Sequence, residues 1–284
     1  MSGKRLKVMV ALLLAGILTG VVAAGSASPD RVLRLADGAV IDYAGLLQEL
    51  QGTRVVIVGE NHDQVAHHDL QLAVIQSLRA TGRPLAIGVE MFTAEGQRGL
   101  DRWVAGKIPE AEFEQLFARE WQEPWPLYRE IFRYARDQRI PMVGLNIPRD
   151  VIRRVAVNGF ASLPEDEQGK LPPGITCDLT SDYVAFIRRI FASHKASDRA
   201  FLYFCEAQMV WNKGMAWHLA RYLRQNPDRT VVALLGVAHA LKRGVPENLE
   251  QEGVSGVRVV LPELSDLSRM RASAEDADYL VLRP

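Results

Sequence analysis

No charge of one sign dominates this chain. Lys plus Arg and Asp plus Glu each total 34, so neither the basic face of a nucleic-acid binder nor an acidic tail is present. Cysteine is nearly absent, with Cys177 and Cys205 alone. They allow one disulfide in an oxidising compartment, or a buried thiol at Cys205, which falls in a strongly apolar helical segment. No Gly-x-Ser-x-Gly elbow, Walker A loop or dinucleotide Gly-x-Gly-x-x-Gly occurs, which removes support for the nucleophile and phosphate sites those motifs build. Internal repeats and low-complexity tracts are missing too.

One long uncharged run exists, Val8 to Ala24, behind Lys4, Arg5 and Lys7 and ahead of the small residues Gly25-Ser26-Ala27-Ser28. This is the pattern of an export signal over 1–28, cleaved after Ala24 or a few residues later and somewhat short for a membrane span. The expected mature chain therefore has no stable span. Leu18-Thr19-Gly20 is followed by Val21 where a lipoprotein box needs cysteine, which argues against lipid anchoring by that route.

What the chain does have is a set of short apolar runs that end in polar side chains. Arg54-Val55-Val56-Ile57-Val58 leads to Gly59-Glu60-Asn61-His62, and Thr230-Val231-Val232-Ala233-Leu234-Leu235 leads to Gly236-Val237-Ala238-His239. Leu85-Ala86-Ile87-Gly88-Val89 leads to Glu90, and Pro141-Met142-Val143-Gly144-Leu145 to Asn146. Continuous β-branched runs of this length read as strands buried on both faces of a parallel sheet. Ligands and chemistry gather at the carboxyl edge of such a sheet, so Glu60, His62, Glu90, Asn146 and His239 are expected to converge.

Between these runs the helical period returns. Residues 63–79 carry Leu70, Ala73, Val74 and Leu78 at helical spacing, and with the flanking strands make a βαβ unit. Residues 94–139 are helical and rich in aromatics, broken at Pro124 and Pro126. Helices follow from Arg149, at 181–194 and at 198–225, and strands return at 230–236, 256–261 and 279–282. A hairpin through Asp37-Gly38 opens the ordered part. The expected class is α/β: a mainly parallel sheet flanked by helices, one domain over 29–284, with an inserted helical cap over the carboxyl edge at about 94–225.

Carboxylates beside imidazoles bind a divalent metal or poise a water, and Glu60, His62, Glu90 and His239 are the candidates for either role. The plainer alternative is that the two glutamates cap helices or form ion pairs. His67 and His68 point in different directions, so one is expected to reach the pocket. Thr180 reads as the N-cap of the next helix, with Tyr183 in its first turn and His194 on the same face eleven residues on. That face either grips a flat cofactor or is ordinary core. Gln208, Trp211, Met215 and His218 share another face, which reads mainly as core.

These residues together resemble a known family. Gly59-Glu60-Asn61-His62-Asp63, His67-His68, Leu70-Gln71, Gly88-Val89-Glu90-Met91-Phe92, Ala207-Gln208-x-x-Trp211, Met215-Ala216 and Gly236-x-x-His239 are similar to the ChaN family of haem-binding, iron-regulated bacterial proteins. The wider group includes the Tiki, TraB and erythromycin esterase proteins, which share the Gly-Glu-x-His and Gly-x-x-His elements. The resemblance implies an exported haem binder whose pocket is completed by homodimerisation and whose iron is held by tyrosine. Without Cys-x-x-Cys-His the haem is non-covalent. Tyr183 is the first candidate ligand, Tyr128 in the aromatic segment the second, with His194 nearby. The wider group implies the alternative, a hydrolytic or metal-dependent site at Glu60, His62, Glu90 and His239.

Overall fold

The computed structural model describes residues 31–191 and 197–283. The expected export signal at 1–28 and His194 lie outside the described residues. No helix among those described is long and apolar enough to cross a membrane.

The chain begins with the expected hairpin, β1 (Val32–Arg34) and β2 (Ala39–Ile41), whose turn uses Gly38 at φ +74°. Then come α1 (Tyr43–Leu50), β3 (Val55–Glu60), α2 (Val65–Ala80) and β4 (Leu85–Thr93). The aromatic segment forms α3 (Gln97–Val104), α4 (Glu110–Glu120) and α5 (Trp125–Asp137), the last entered through Pro124 with Pro126 in its first turn. Proline suits that position because its missing N–H would have no helical partner there. After β5 (Met142–Asn146) come α6 (Arg149–Asn158), α7 (Glu165–Gln168), α8 (Asp182–Phe191) and the long α9 (Asp198–Gln225). The last part is β6 (Thr230–Gly236), α10 (Val237–Ala240), α11 (Val245–Gln251), β7 (Val257–Pro262) and β8 (Tyr279–Val281).

The eight strands of the described residues join one sheet in the order β2-β1-β8-β7-β3-β6-β4-β5. From β8 to β5 every neighbouring pair is parallel, and only β1 of the opening hairpin runs antiparallel to the rest. The class expected from the sequence is the one observed. β6 lies between β3 and β4, so the two ends of the described chain build the middle of the sheet.

Successive side chains of a strand face opposite layers. On β3, Val56 and Val58 join a core with Leu70 and Val74 of α2 and the aromatic group Trp103, Phe113, Phe117 and Phe132. Val55 and Ile57 face the other core, with Met215, Ala216 and Leu219 of α9 and Leu249 of α11. The aromatic core is closely packed, with Trp103 stacked on Phe113 at 4.3 Å and its indole N–H donating to the Phe132 carbonyl at 2.8 Å. The helices inserted between β4 and β6 therefore serve several places. α3 to α5 cover one face of the sheet and the second half of α9 the other. α6 packs on the first half of α9 in a smaller cluster with Ile147, Ile152, Val155 and Val210.

Two local devices bear on the site. β4 runs three residues past Glu90, and its pairing with β5 steps from Val89 opposite Gly144 to Thr93 opposite Asn146. That bulge puts Met91 and Phe92 into the same core, as bulges do where a side chain must be re-aimed. The outer edge of β5 is closed by one side chain. Gln97 donates to the Met142 carbonyl at 2.8 Å and accepts from the Gly144 N–H at 3.0 Å, standing in for a further strand.

Candidate functional site at the carboxyl edge

Glu60 closes β3 on the aromatic face, with 1% of its surface exposed. Its Oε1 accepts from the Tyr128 hydroxyl at 2.7 Å and sits 2.7 Å from His62 Nδ1. His68 Nε2 lies 3.1 Å from the other oxygen, off the line of a good hydrogen bond. Three elements thus converge on one carboxylate: the turn after β3, α2 and α5. Burial disfavours its charge, but the His62 hydrogen bond and the close approach of the His68 imidazole outweigh burial and hold its pKa down to about 2. Burial likewise opposes a charged His62, yet the bond to Glu60 and the charges of Glu90, Glu60 and Glu123 lift it to about 9. At neutral pH the pair is carboxylate and imidazolium.

Glu90 belongs to the other face. Its Oε2 accepts the Gly236 N–H at 2.6 Å, and its Oε1 lies 3.8 Å from His239 Nε2. His239, buried on α10, places Nδ1 2.7 Å from the Oδ1 of Asn212 on α9. An amide oxygen only accepts, so this Nδ1 carries the hydrogen and Nε2 offers its lone pair toward Glu90. Burial, the largest influence, lowers the His239 pKa against the pull of Glu90. The Trp211 ring meets the imidazole edge-on at 5.5 Å.

The two clusters meet over Gly236, which pairs with Glu60 across β3 and β6. A Cβ there would fall 2.8 Å from His62 Cε1, 2.9 Å from Nε2 and 3.6 Å from Glu90 Oε2. Only glycine leaves room for the imidazole between the two carboxylates. The Gly236-x-x-His239 element thus gives its glycine and its histidine separate tasks.

The structure brings Glu60, His62, Glu90 and His239 to one edge, as expected, but with the glutamates on opposite faces of the sheet. Asn146 is near yet occupied by the backbone, donating to the Glu90 carbonyl and accepting from the Ile147 N–H, both at 2.7 Å. His67 Nδ1 accepts the Asn61 N–H at 2.9 Å, so it shapes the turn while His68 reaches Glu60. Among the described residues no three His, Cys, Asp or Glu side chains are grouped to hold a metal ion.

The cofactor candidates divide clearly. Tyr128 is fully buried with its hydroxyl committed to Glu60, and burial and the Glu60 charge raise its pKa. Tyr183 is 4% exposed, packs with Val184, Ile187, Phe201 and Cys205, and its hydroxyl makes no hydrogen bond. Tyr183 also borders a groove of about 280 Å³ shared with Phe186, Leu241, Arg243, Ser273, Glu275 and Asp276. Tyr183 does lie in the first turn of α8. The cap is Ser181 instead of Thr180, because Asp178 takes the Thr180 hydroxyl at 2.6 Å and Ser181 Oγ accepts the Val184 N–H at 3.2 Å. Cys177 and Cys205 are disulfide-bonded, their Cα atoms 5.8 Å apart, tying the approach to α8 onto α9.

Sequence reasoning missed Asn212, buried on α9 beside the noted Trp211. Helical spacing assigns it to a packed face, and nothing local distinguishes an amide that holds a histidine from one that does not.

Two polar clusters thus share the carboxyl edge of a parallel α/β sheet. The profile of the family described as "Haem-binding uptake, Tiki superfamily, ChaN" matches residues 46–249, and the chain belongs to that haem-binding family. The fold is similar to that of ChaN of Campylobacter jejuni, reported with cofacial haem, at a TM-score of 0.70 and 20% identity over 88% of this chain and 95% of that one. It is also similar to a variant of the erythromycin esterase EreC in its open conformation, at a TM-score of 0.50 and 15% identity over 78% and 72% of the two chains. Among curated proteins, RETICULATA-RELATED 5 of Arabidopsis thaliana, chloroplastic, is 24% identical over 154 residues, which is 52% of this chain. The matched region spans 21% of that relative's length.

Proposed function

We propose that the chain is an exported protein that takes up haem non-covalently, with ferric iron on the Tyr183 oxygen and the pocket completed by a second copy. The observation that carries this reading is the Tyr183 hydroxyl, buried and without a hydrogen bond. A phenol oxygen with nothing to lose is free to meet iron, whereas Tyr128 would first have to abandon Glu60. Phenolate is an established ligand for haem iron. The chain's own part is to ligate, to bury the apolar face of the haem and to exclude water.

The groove beside Tyr183 supports the dimer. Its volume of about 280 Å³ falls just short of the roughly 300–1,000 Å³ of a complete small-molecule site. A second copy, related by a two-fold axis, supplies the missing wall. Export rests on the composition of residues 1–28. Hemin titration of the mature chain tests the reading. The expected result is a saturable Soret band with a phenolate charge-transfer feature, lost in Tyr183→Phe and kept in Tyr128→Phe, with mass doubling in sedimentation. An unaltered spectrum in Tyr183→Phe removes Tyr183 as ligand.

A second reading, hydrolysis, has its own observation. Two histidines at one edge have pKa values pushed apart, His62 up and His239 down, the pattern that separates an acid from a base. His239 Nε2 would take a proton from water and His62 would donate one, with Glu60 and Glu90 orienting them. Ester or peptide turnover that disappears in His239→Ala, from protein free of haem, would favour it, and no turnover would retire it.

A further inference from the structure

Two buried polar atoms on the Glu90 side of the site lack a hydrogen-bond partner. One is the Tyr183 hydroxyl, the other the Nδ2 of Asn212, which has no exposed surface. They are near enough that, against the dominant upward push of burial, Asn212 draws the phenol pKa downward, although no bond of good geometry forms. Buried amide hydrogens are seldom left unpaired, because the lost hydration is not returned. The orientation of this amide is not free. Its Oδ1 accepts His239 Nδ1–H at 2.7 Å, which leaves the NH₂ end for Tyr183.

We infer that Asn212 is the positioning residue for the tyrosine ligand: its amide donates to one lone pair of the Tyr183 oxygen while iron takes another, and His239 fixes the amide. The inference rests on the haem reading above. A phenolate is a stronger acceptor than a phenol, so the donor that idles in the ligand-free chain is matched when iron binds. Trp211, edge-on to His239, holds the imidazole that holds the amide. The Glu90–His239 pair thereby acts on haem from a distance, through one side chain, without touching it. This gives the Gly-x-x-His element a task in haem binding itself.

The ligand-free full chain already offers a test. The ¹⁵N shifts of His239 should show the hydrogen on Nδ1, and Asn212→Leu should turn that signal into a tautomer mixture. A hydrogen fixed on Nε2 in the wild type would mean the amide faces the other way, and would overturn the inference. Hemin gives the second test. Asn212→Asp keeps the acceptor for His239 and removes the donor, so hemin affinity should fall about 10-fold or more, as expected for a lost hydrogen bond to a charged group, with a displaced charge-transfer band. Wild-type affinity and band in Asn212→Asp would also overturn it. If Tyr183→Phe abolishes the band while Asn212→Asp does not, only this inference fails; if Tyr183→Phe changes nothing, the ligand assignment fails with it.

Discussion

Glu60→Gln is the most informative single change, because it keeps the shape of the side chain and removes the charge on which one cluster depends. Glu60 is held near a pKa of about 2 and His62 near about 9, from ordinary values of 4.5 and 6.5. Both shifts describe one contact seen from its two ends and are counted once. The carboxylate's share of stability is present above pH 4.5 and lost as the pH falls toward 2. The imidazolium's share is complete below 6.5 and lost as the pH rises through 9. A shift of this size corresponds to about 3 kcal/mol. The His62 side chain is 35% exposed, and screening by solvent reduces the figure to about 1–2 kcal/mol.

The wild type should therefore lose about 1–2 kcal/mol between pH 6.5 and 9 through His62, a fall in melting temperature of about 2–6 °C for a domain of this size. In Glu60→Gln the His62 pKa should move back toward 6.5 and this alkaline slope should flatten, while stability at pH 6 drops by about 1.5–3 kcal/mol for the lost charged hydrogen bonds. Urea unfolding at half-unit pH intervals measures the slope, and the His62 ring signal in NMR measures the titration directly. Parallel alkaline slopes in the two proteins would refute the assignment of His62 as the charged partner of Glu60.

Gln97→Leu should uncover the Met142 carbonyl and the Gly144 N–H on the β5 edge, raising concentration-dependent aggregation in light scattering while leaving the hemin spectrum intact; a variant as soluble as the wild type would show that the edge is protected by something else. Replacing Cys177 and Cys205 together by serine should cost about 3–4 kcal/mol by the chain entropy of a loop with a sequence separation of 28. Denaturation with and without reductant tests this, and equal midpoints would mean that the crosslink does not stabilise the approach to α8.

How much of this was legible beforehand follows from which forces act locally. The strands ending in Glu60, Asn146 and Gly236 could be read because a run buried on both faces has no polar residue until it leaves the sheet, whereas β4 runs past Glu90 to Thr93. The hairpin at Asp37-Gly38 and the break at Pro124 were legible for the same kind of reason, since backbone conformation there is dictated by one or two residues. The division of the site into two faces was not. It depends on β6 entering between β3 and β4, on the parity of Glu60 and Glu90 along their strands, and on a bulge in β4 whose cause lies in its pairing with β5. Ser181 took the cap from Thr180 because Asp178 competed for the threonine hydroxyl, a contest between near neighbours that residue preference alone does not decide.

Tyr128 and Asn212 show the deeper limit. Each sits on a helix face that periodicity assigns to core, and each is indeed buried, so the pattern was read correctly and the function was still hidden. What distinguishes them is a polar tip satisfied by a residue far away in sequence, Glu60 for Tyr128 and His239 for Asn212. Burial of such a tip is costly without its partner, and that cost is imposed by the assembled fold. The same reasoning separates the two tyrosines. One hydroxyl is already paired with a buried carboxylate; the other makes no hydrogen bond, a state that a core tyrosine usually avoids and on which the proposed ligation of iron rests.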